Sequence, residues 1–409
     1  MSLLQGGLCS RTLPRMTVIR NQLAPMQYRR FGRTGQQLSV ITLGGMRYID
    51  GWGEPRNQPS RDMIEQCART TRLAFDAGVN HIETAHGYGK SEHCYGQVLN
   101  QELAIPRDRY HLMTKGGPRS AEDVRRLVDE QLKALRTDRI DLYAWHGINS
   151  PDTGKQVCAK GGAVEELLKL KAEGVIGGVG FSTHGPVEVI CDTIATDLFD
   201  FVNLHYYYFF QRNWAAVVQA STRDLGVFII SPNDKGGQLF NAPPLLRGLT
   251  TPLSPIQWNA RFCLKTPAVH TLSFGMSAPD HIKEMRGIFP VTVPMSADDQ
   301  RIEQELNARA LLDPLSAWDG YEMLGDPSGI NIPEVLRFRR LALCFDMHDF
   351  GVYRYNMLES KGDWFPGVVA SEEAIAKVDA SRAPEGIDVK ALLREAHALF
   401  WREKKPAGG

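Results

Sequence analysis

The sequence has no net charge, no apolar run of membrane length and no paired cysteines. Lysine plus arginine and aspartate plus glutamate each total 47 in 409 residues. No overall field exists to hold a nucleic-acid backbone or an anionic membrane surface, so neither partner is expected. The longest apolar stretches, such as the one around Gly226 to Ile230, are strand-sized and far from the roughly 18 residues a membrane span requires. The seven cysteines (Cys9, Cys67, Cys94, Cys158, Cys191, Cys263 and Cys344) are odd in number and scattered, and no two show C-x-x-C spacing. That pattern argues against structural disulfides and zinc, and for a reducing, cytoplasmic compartment. No G-x-G-x-x-G follows an early strand candidate, which removes the mark of an open-sheet dinucleotide fold. There is no heptad seam or obvious edge strand, so a monomer is the default expectation.

Apolar residues at 43% and charged residues at 23% are enough for a chain that folds by itself. Residues 1–26 carry Arg11, Arg15 and Arg20 and no acidic residue. They read as a flexible N-terminal extension, with an organelle transit peptide as the alternative.

From Tyr28 onward one unit recurs: a short β-branched or aromatic run, a polar turn, then an amphipathic stretch of helical period. Strands are expected at Ser39–Leu43, Val79–Thr84, Tyr110–Thr114, Ile140–Trp145, Val175–Phe181, Phe201–Leu204, Val227–Ser231 and His270–Phe274. Helices between them carry serine at their starts and glycine at their ends, as in Arg61–Ala77 before Gly78 and Ala121–Leu135 after Ser120. Eight strands alternating with helices predict an α/β fold, a (β/α)8 TIM barrel over residues 27–290. After Pro290 the alternation gives way to helical pattern alone, predicting an all-helical C-terminal extension over 291–409. Trp364 and Phe365 fall in a loop of that extension and are expected to pack against the barrel.

Catalytic groups of such barrels sit at the C-terminal ends of the strands. Three consecutive strand ends are loaded here: Glu83 with Tyr88, then Lys115, then His146. A carboxylate, a phenol, an ammonium and an imidazole would converge at one mouth. An ammonium beside a phenol favours phenolate, so Lys115 is expected to lower the Tyr88 pKa and make it a usable acid, with Glu83 holding Lys115 and His146 orienting a carbonyl oxygen.

The run from Phe75 to Glu92, with Glu83-Thr84-Ala85-His86-Gly87-Tyr88-Gly89-Lys90-Ser91-Glu92 at its end, resembles the signature of the aldo/keto reductase superfamily, as do the Thr-Lys and Leu-Tyr-x-x-His segments at Lys115 and His146. The resemblance covers about Tyr28 to Met285. It implies hydride transfer from a nicotinamide to a small-molecule carbonyl, with Tyr88 donating the proton and no metal. It also implies nicotinamide contacts at Ser182, Thr183 and Asn203, a seventh-strand loop at Ser231 and Pro232, and an adenosine-phosphate loop spanning Gly275, Ser277, His281 and Glu284. The implied cofactor is NADPH, with NADH as the alternative.

Three departures stand out. Glu83 replaces the family's usual aspartate, one methylene longer. His281 stands where the family places a phosphate-binding arginine, which bears on cofactor choice because histidine is mostly neutral at pH 7. Gly329 to Val335 resembles the extension of a bacterial subgroup that holds an iron–sulfur cluster, but Tyr321 to Ser328 has no cysteine and Cys344 stands alone. No cluster is therefore expected. Two other readings fit the same residues: a cofactor-binding redox sensor or regulatory subunit with little turnover, and a lyase using Lys115 as a Schiff-base amine. Trp52, Trp145, Tyr206, Tyr207, Phe240, Tyr353 and Tyr355 are candidates for an aromatic substrate pocket.

Overall fold

The computed structural model describes residues 18–51, 55–316, 325–359 and 365–403. Most of the N-terminal extension, Cys9, Trp52, Tyr321 to Leu324 and Trp364 lie outside the described residues. The strands are, in chain order, β1 (Tyr28–Arg30), β2 (Gln37–Ser39), β3 (Ile41–Gly44), β4 (His81–Glu83), β5 (His111–Gly116), β6 (Leu142–His146), β7 (Val179–Ser182), β8 (Phe201–Leu204), β9 (Gly226–Ile229) and β10 (Thr271–Gly275). β3 to β10 close into an eight-stranded barrel in which every pairing is parallel. Each expected strand is present, with its start or end moved by a few residues except at β8.

β1 and β2 were not foreseen. They form an antiparallel hairpin below the barrel and drive Phe31 into its floor. There Phe31 lies 5.4 Å from Phe201 and packs in a cluster with Leu38, Met113, Leu142, Ala144 and Phe228. Gly32 permits this plug: its φ is +50°, and a Cβ would stand 2.3 Å from the Gly226 nitrogen. The segment from Val18 is also held, not loose. Arg20 pairs with Asp141 at 2.9 Å, and the buried Asn21 amide donates to the Phe75 and Val79 carbonyls at 2.9 and 3.0 Å.

The helices follow the expected cap chemistry. Ser60 and Ser120 accept first-turn N–H bonds at the starts of Arg61–Asp76 and Ala121–Leu135, and Gly78 and Gly174 take positive φ beyond helix ends. The helices Pro151–Cys158, Pro244–Thr250 and Pro255–Leu264 add to the expected set.

Beyond the barrel the chain forms helices Ala297–Ala310, Ile332–Phe345, His348–Tyr355, Glu372–Ala376 and Val389–Phe400. Residues four apart in Ile332–Phe345, such as Leu341 and Phe345, share a buried face. Phe345 meets Phe209 of the loop after β8 at 5.5 Å, and Tyr208 of that loop donates to Asn307 at 2.9 Å. Cys344 is fully buried beside the Ala310 carbonyl, packing as a small apolar residue. The extension thus leans on the mouth of the barrel through the β8 loop.

Candidate active site

Strand alternation decides which side chains enter the barrel. In β4 it turns His81 and Glu83 inward, in β5 Met113 and Lys115, in β6 Ala144 and His146. His146 pairs in register with Ser182 of β7, and Ser182 with Asn203 of β8. A polar tier crosses the interior, with Thr42 bonded to Thr271 at 2.7 Å and to His81 at 2.8 Å. Glu83 and Lys115 occupy the tier above.

Glu83 and Lys115 are in direct contact as an ion pair, with side chains only 4% and 1% exposed. Ser273 donates to the other Glu83 oxygen at 3.1 Å. Tyr88, on the turn after β4, directs its hydroxyl at Glu83 from 3.4 Å. The Lys115 ammonium lies 4.7 Å from the centroid of the Tyr88 ring, and the His146 ring meets that ring edge-on at 5.9 Å. All four residues expected to be catalytic therefore meet. One Glu83 oxygen thus faces both the ammonium and the phenol.

The electrostatics differ from the sequence expectation. Burial raises the Tyr88 pKa above the ordinary phenol value instead of lowering it. The ammonium lies over the ring face, where it acts on the π-system more than on the oxygen. Burial, and then the charge of Lys235, push Lys115 well below the usual lysine range, while the Glu83 carboxylate in contact favours the charged form. Burial and then Lys115 push His146 down to about 3, so its ring is neutral.

The residues expected to hold a nicotinamide cofactor fall into two groups. Asn203 is fully buried and its Oδ1 has no hydrogen-bond partner, so it could accept from a carboxamide N–H. Ser182 lies beside it in register. Thr183 spends its hydroxyl on the Ile148 carbonyl at 2.7 Å, so its hydroxyl is committed within the protein. In the loop after β9, Ser231 has φ +49° and Pro232 accepts from the Asn259 amide at 3.3 Å.

Past β10, the Ser277 N–H donates to His281 Nδ1 at 3.1 Å, and the Glu284 carboxylate accepts from the Ser254 hydroxyl. Burial, and then the nearby Arg47, lower the His281 pKa. His281 therefore brings no positive charge at neutral pH. Arg47 brings one. Its guanidinium stem flanks Gly275, and it is ion-paired with Asp234 of the β9 loop. Sequence reasoning missed Arg47, although it lies three residues beyond the end of the first barrel strand.

The aromatic pocket expected from sequence is not assembled. Trp145 donates its indole N–H to the Pro118 carbonyl, Tyr206 packs against Trp214 and Phe262, and Tyr355 bonds His397 inside the extension. Tyr353 is exposed, and Phe240 lies tilted against His281 with ring centroids 4.5 Å apart. Of the described candidates, Tyr207 alone lines the cleft between the barrel loops and the extension, alongside His184, His205, Arg212, Lys235, Arg337 and Arg354. His184 and His205 each follow a strand end and were visible in sequence. The extension arginines carried no such positional signal.

Residues 40–232 match the aldo/keto reductase family. Over that stretch, just under half of its length, the chain is similar to that family, and its closed eight-stranded parallel barrel with helices agrees with the likeness. It is 27% identical over 248 residues to an L-galactose dehydrogenase of Arabidopsis thaliana, covering 58% of this chain and 71% of that one. It is 32% identical over 182 residues to a D-arabinose 1-dehydrogenase of Saccharomyces cerevisiae, covering 39% of this chain and about half, 49%, of the relative. A solved aldo-keto reductase of Bacillus halodurans superposes with a TM-score of 0.56 at 22% identity, covering 68% of this chain and 96% of that one. At that identity the likeness speaks for the fold alone. With these named relatives, the chain is an oxidoreductase.

Proposed function

We propose that the protein reduces the carbonyl of an aldehyde or ketone to an alcohol, using a reduced nicotinamide and a proton from Tyr88. The observation that carries this reading is the joint placement of Tyr88, Lys115, Glu83 and His146 in one cluster at the barrel mouth, with Glu83 and Lys115 buried and Tyr88 and His146 half-buried. When bound, the cofactor supplies hydride to the carbonyl carbon.

The protein's own groups manage the oxygen. Burial keeps the Tyr88 proton on its phenol, which is the form a proton donor needs. As negative charge builds on the substrate oxygen, that proton moves to it and leaves a phenolate. Lys115, 4.7 Å from the ring, stabilises the phenolate, and Glu83 keeps Lys115 in place. Neutral His146 acts as a hydrogen-bond donor to the carbonyl and helps orient it.

Ser182 and Asn203 are proposed to hold the carboxamide, and Ser231, Pro232, Gly275, Ser277, His281 and Glu284 the remainder of the cofactor. NADPH remains the proposed donor and NADH the alternative, with Arg47 in place of His281 as the source of positive charge. The names of the relatives, dehydrogenases of sugars, favour a hydroxylated carbonyl compound. The test is loss of reduced-nicotinamide absorbance with NADPH and with NADH against a panel of aldehydes, ketones and sugars. Turnover of at least one carbonyl is expected. Tight cofactor binding without turnover of any would favour the sensor.

A further inference from the structure

The cleft beside the catalytic cluster is unlike the apolar pocket usual for small ligands. It is built from the loop after β7 (His184 to Val187), the loop after β8 (His205 to Asn213), Lys235 and the C-terminal extension. Arg212, Lys235, Arg337 and Arg354 line it, and among the described lining residues the carboxylate is Glu334. Glu334 is already shared by Arg212 at 2.6 Å and Arg337 at 2.9 Å, and the second terminal nitrogen of Arg212 is buried without a hydrogen bond. The Arg354 guanidinium carbon lies 4.0 Å from the centroid of the Phe365 ring.

Two helices also begin at this cleft, Val187–Ala195 and Ile332–Phe345, which adds the partial positive charge of their first turns. Positive charge concentrated away from water is costly unless an anion answers it. His184 and His205, bonded to each other at 2.6 Å, are both held neutral by burial and then by Lys235.

The cleft adjoins the chemistry. His146 pairs with Ser182, two residues before His184, and the charge of Lys235 reaches both Lys115 and His146. It lies on the β7 and β8 side. Arg47, Gly275, Ser277 and His281, proposed for the far end of the cofactor, lie on the β3 and β10 side.

We propose that this cleft receives the anionic group of the substrate, so that the protein acts on carbonyl compounds carrying a carboxylate or a phosphate. This rests on the reductase reading above. The extension, by supplying Arg337 and Arg354, would be a specificity element of the active site.

The test uses matched pairs: D-glucuronate against D-glucose for the carboxylate, and glyceraldehyde 3-phosphate against glyceraldehyde for the phosphate. Arg354→Met keeps the apolar contact with Phe365 and removes the charge, and Arg212→Gln is the second variant. The wild type should favour the anionic member of at least one pair. Each variant should raise KM for that member by about tenfold or more, the worth of a charge-assisted hydrogen bond, while turnover of the neutral partner and cofactor affinity stay unchanged. Which pair responds identifies carboxylate or phosphate. Equal losses on both members, or no anionic preference in a wild type that turns over the neutral member, would overturn the proposal and leave the reductase intact.

Titration calorimetry with glucuronate and with inorganic phosphate separates the two readings. Binding that the variants lose, in a protein without turnover, would retain the anion site and discard the reductase. No binding and no turnover would discard both.

Discussion

Replacing Glu83 by glutamine removes the carboxylate paired with the Lys115 ammonium, in a place almost free of water. Breaking a buried pair by neutralising one partner typically costs about 3–5 kcal/mol, because the other charge is left stranded. Lys115 can escape by losing its proton. Taking a lysine from an ordinary pKa near 10.4 to neutrality at pH 7 costs about 4.6 kcal/mol, which bounds the penalty from above. A loss of about 4 kcal/mol is therefore expected. With an unfolding entropy of about 2.1 cal/mol/K per residue, the chain loses roughly 5 °C in Tm.

Calorimetry at pH 7 reads this shift directly. The double variant Glu83→Gln, Lys115→Met should recover at least half of the loss, since an apolar side chain replaces the stranded ammonium. An unchanged Tm for Glu83→Gln, or a double variant less stable than the single, would refute the buried ion pair as the organiser of the site.

Three further expectations follow from the geometry. Arg47→Gln should weaken NADPH binding by about tenfold, the value of a charge-assisted contact, with little change in kcat; equal affinity in a fluorescence titration would remove Arg47 from the cofactor site. Lys235 is pushed down to about 7 by burial and then by Arg354, against the opposing charges of Asp234 and Glu334; His184 also touches it and Lys115 and His146 stand nearby. It is charged below that pH and neutral above, so KM for an anionic substrate should rise as pH passes upward through 7. A KM independent of pH between 6 and 8 would count against its role.

Burial holds His81, His111 and His146 at about 3 and His270 at about 4. The unfolded chain protonates these rings near 6.5 and the folded one does not, so stability should fall as pH drops from about 6.5 toward 3, by about 1.4 kcal/mol per pH unit for each ring fully titrating. A Tm that is flat between pH 6.5 and 4.5 would contradict this.

Much of the barrel was legible because its signals are local. Period-two runs, cap serines and terminal glycines mark each unit, and the chemistry sits at strand ends whose positions those signals give. The hairpin β1 and β2 escaped because Phe31 and Leu38 look like ordinary surface-turn neighbours until the floor they plug is known.

Tyr88 shows the limit of reading electrostatics from neighbours alone. Its proximity to Lys115 was foreseen, but burial dominates its pKa and no sequence pattern reports burial of a turn residue. The triplet Tyr206, Tyr207 and Tyr208 shows the same for direction. Only the structure tells that Tyr207 faces the cleft while Tyr206 packs outward on Trp214. The charged cleft was missed because half of its cations come from an extension whose docking no spacing rule predicts.

The central claim is that Tyr88 is the proton donor of a carbonyl reduction, and Tyr88→Phe tests it most directly because the ring stays and only the hydroxyl leaves. Turnover should fall by about 10²–10⁴, the range for a lost general acid, with nicotinamide affinity unchanged. Undiminished turnover in that variant would contradict the account.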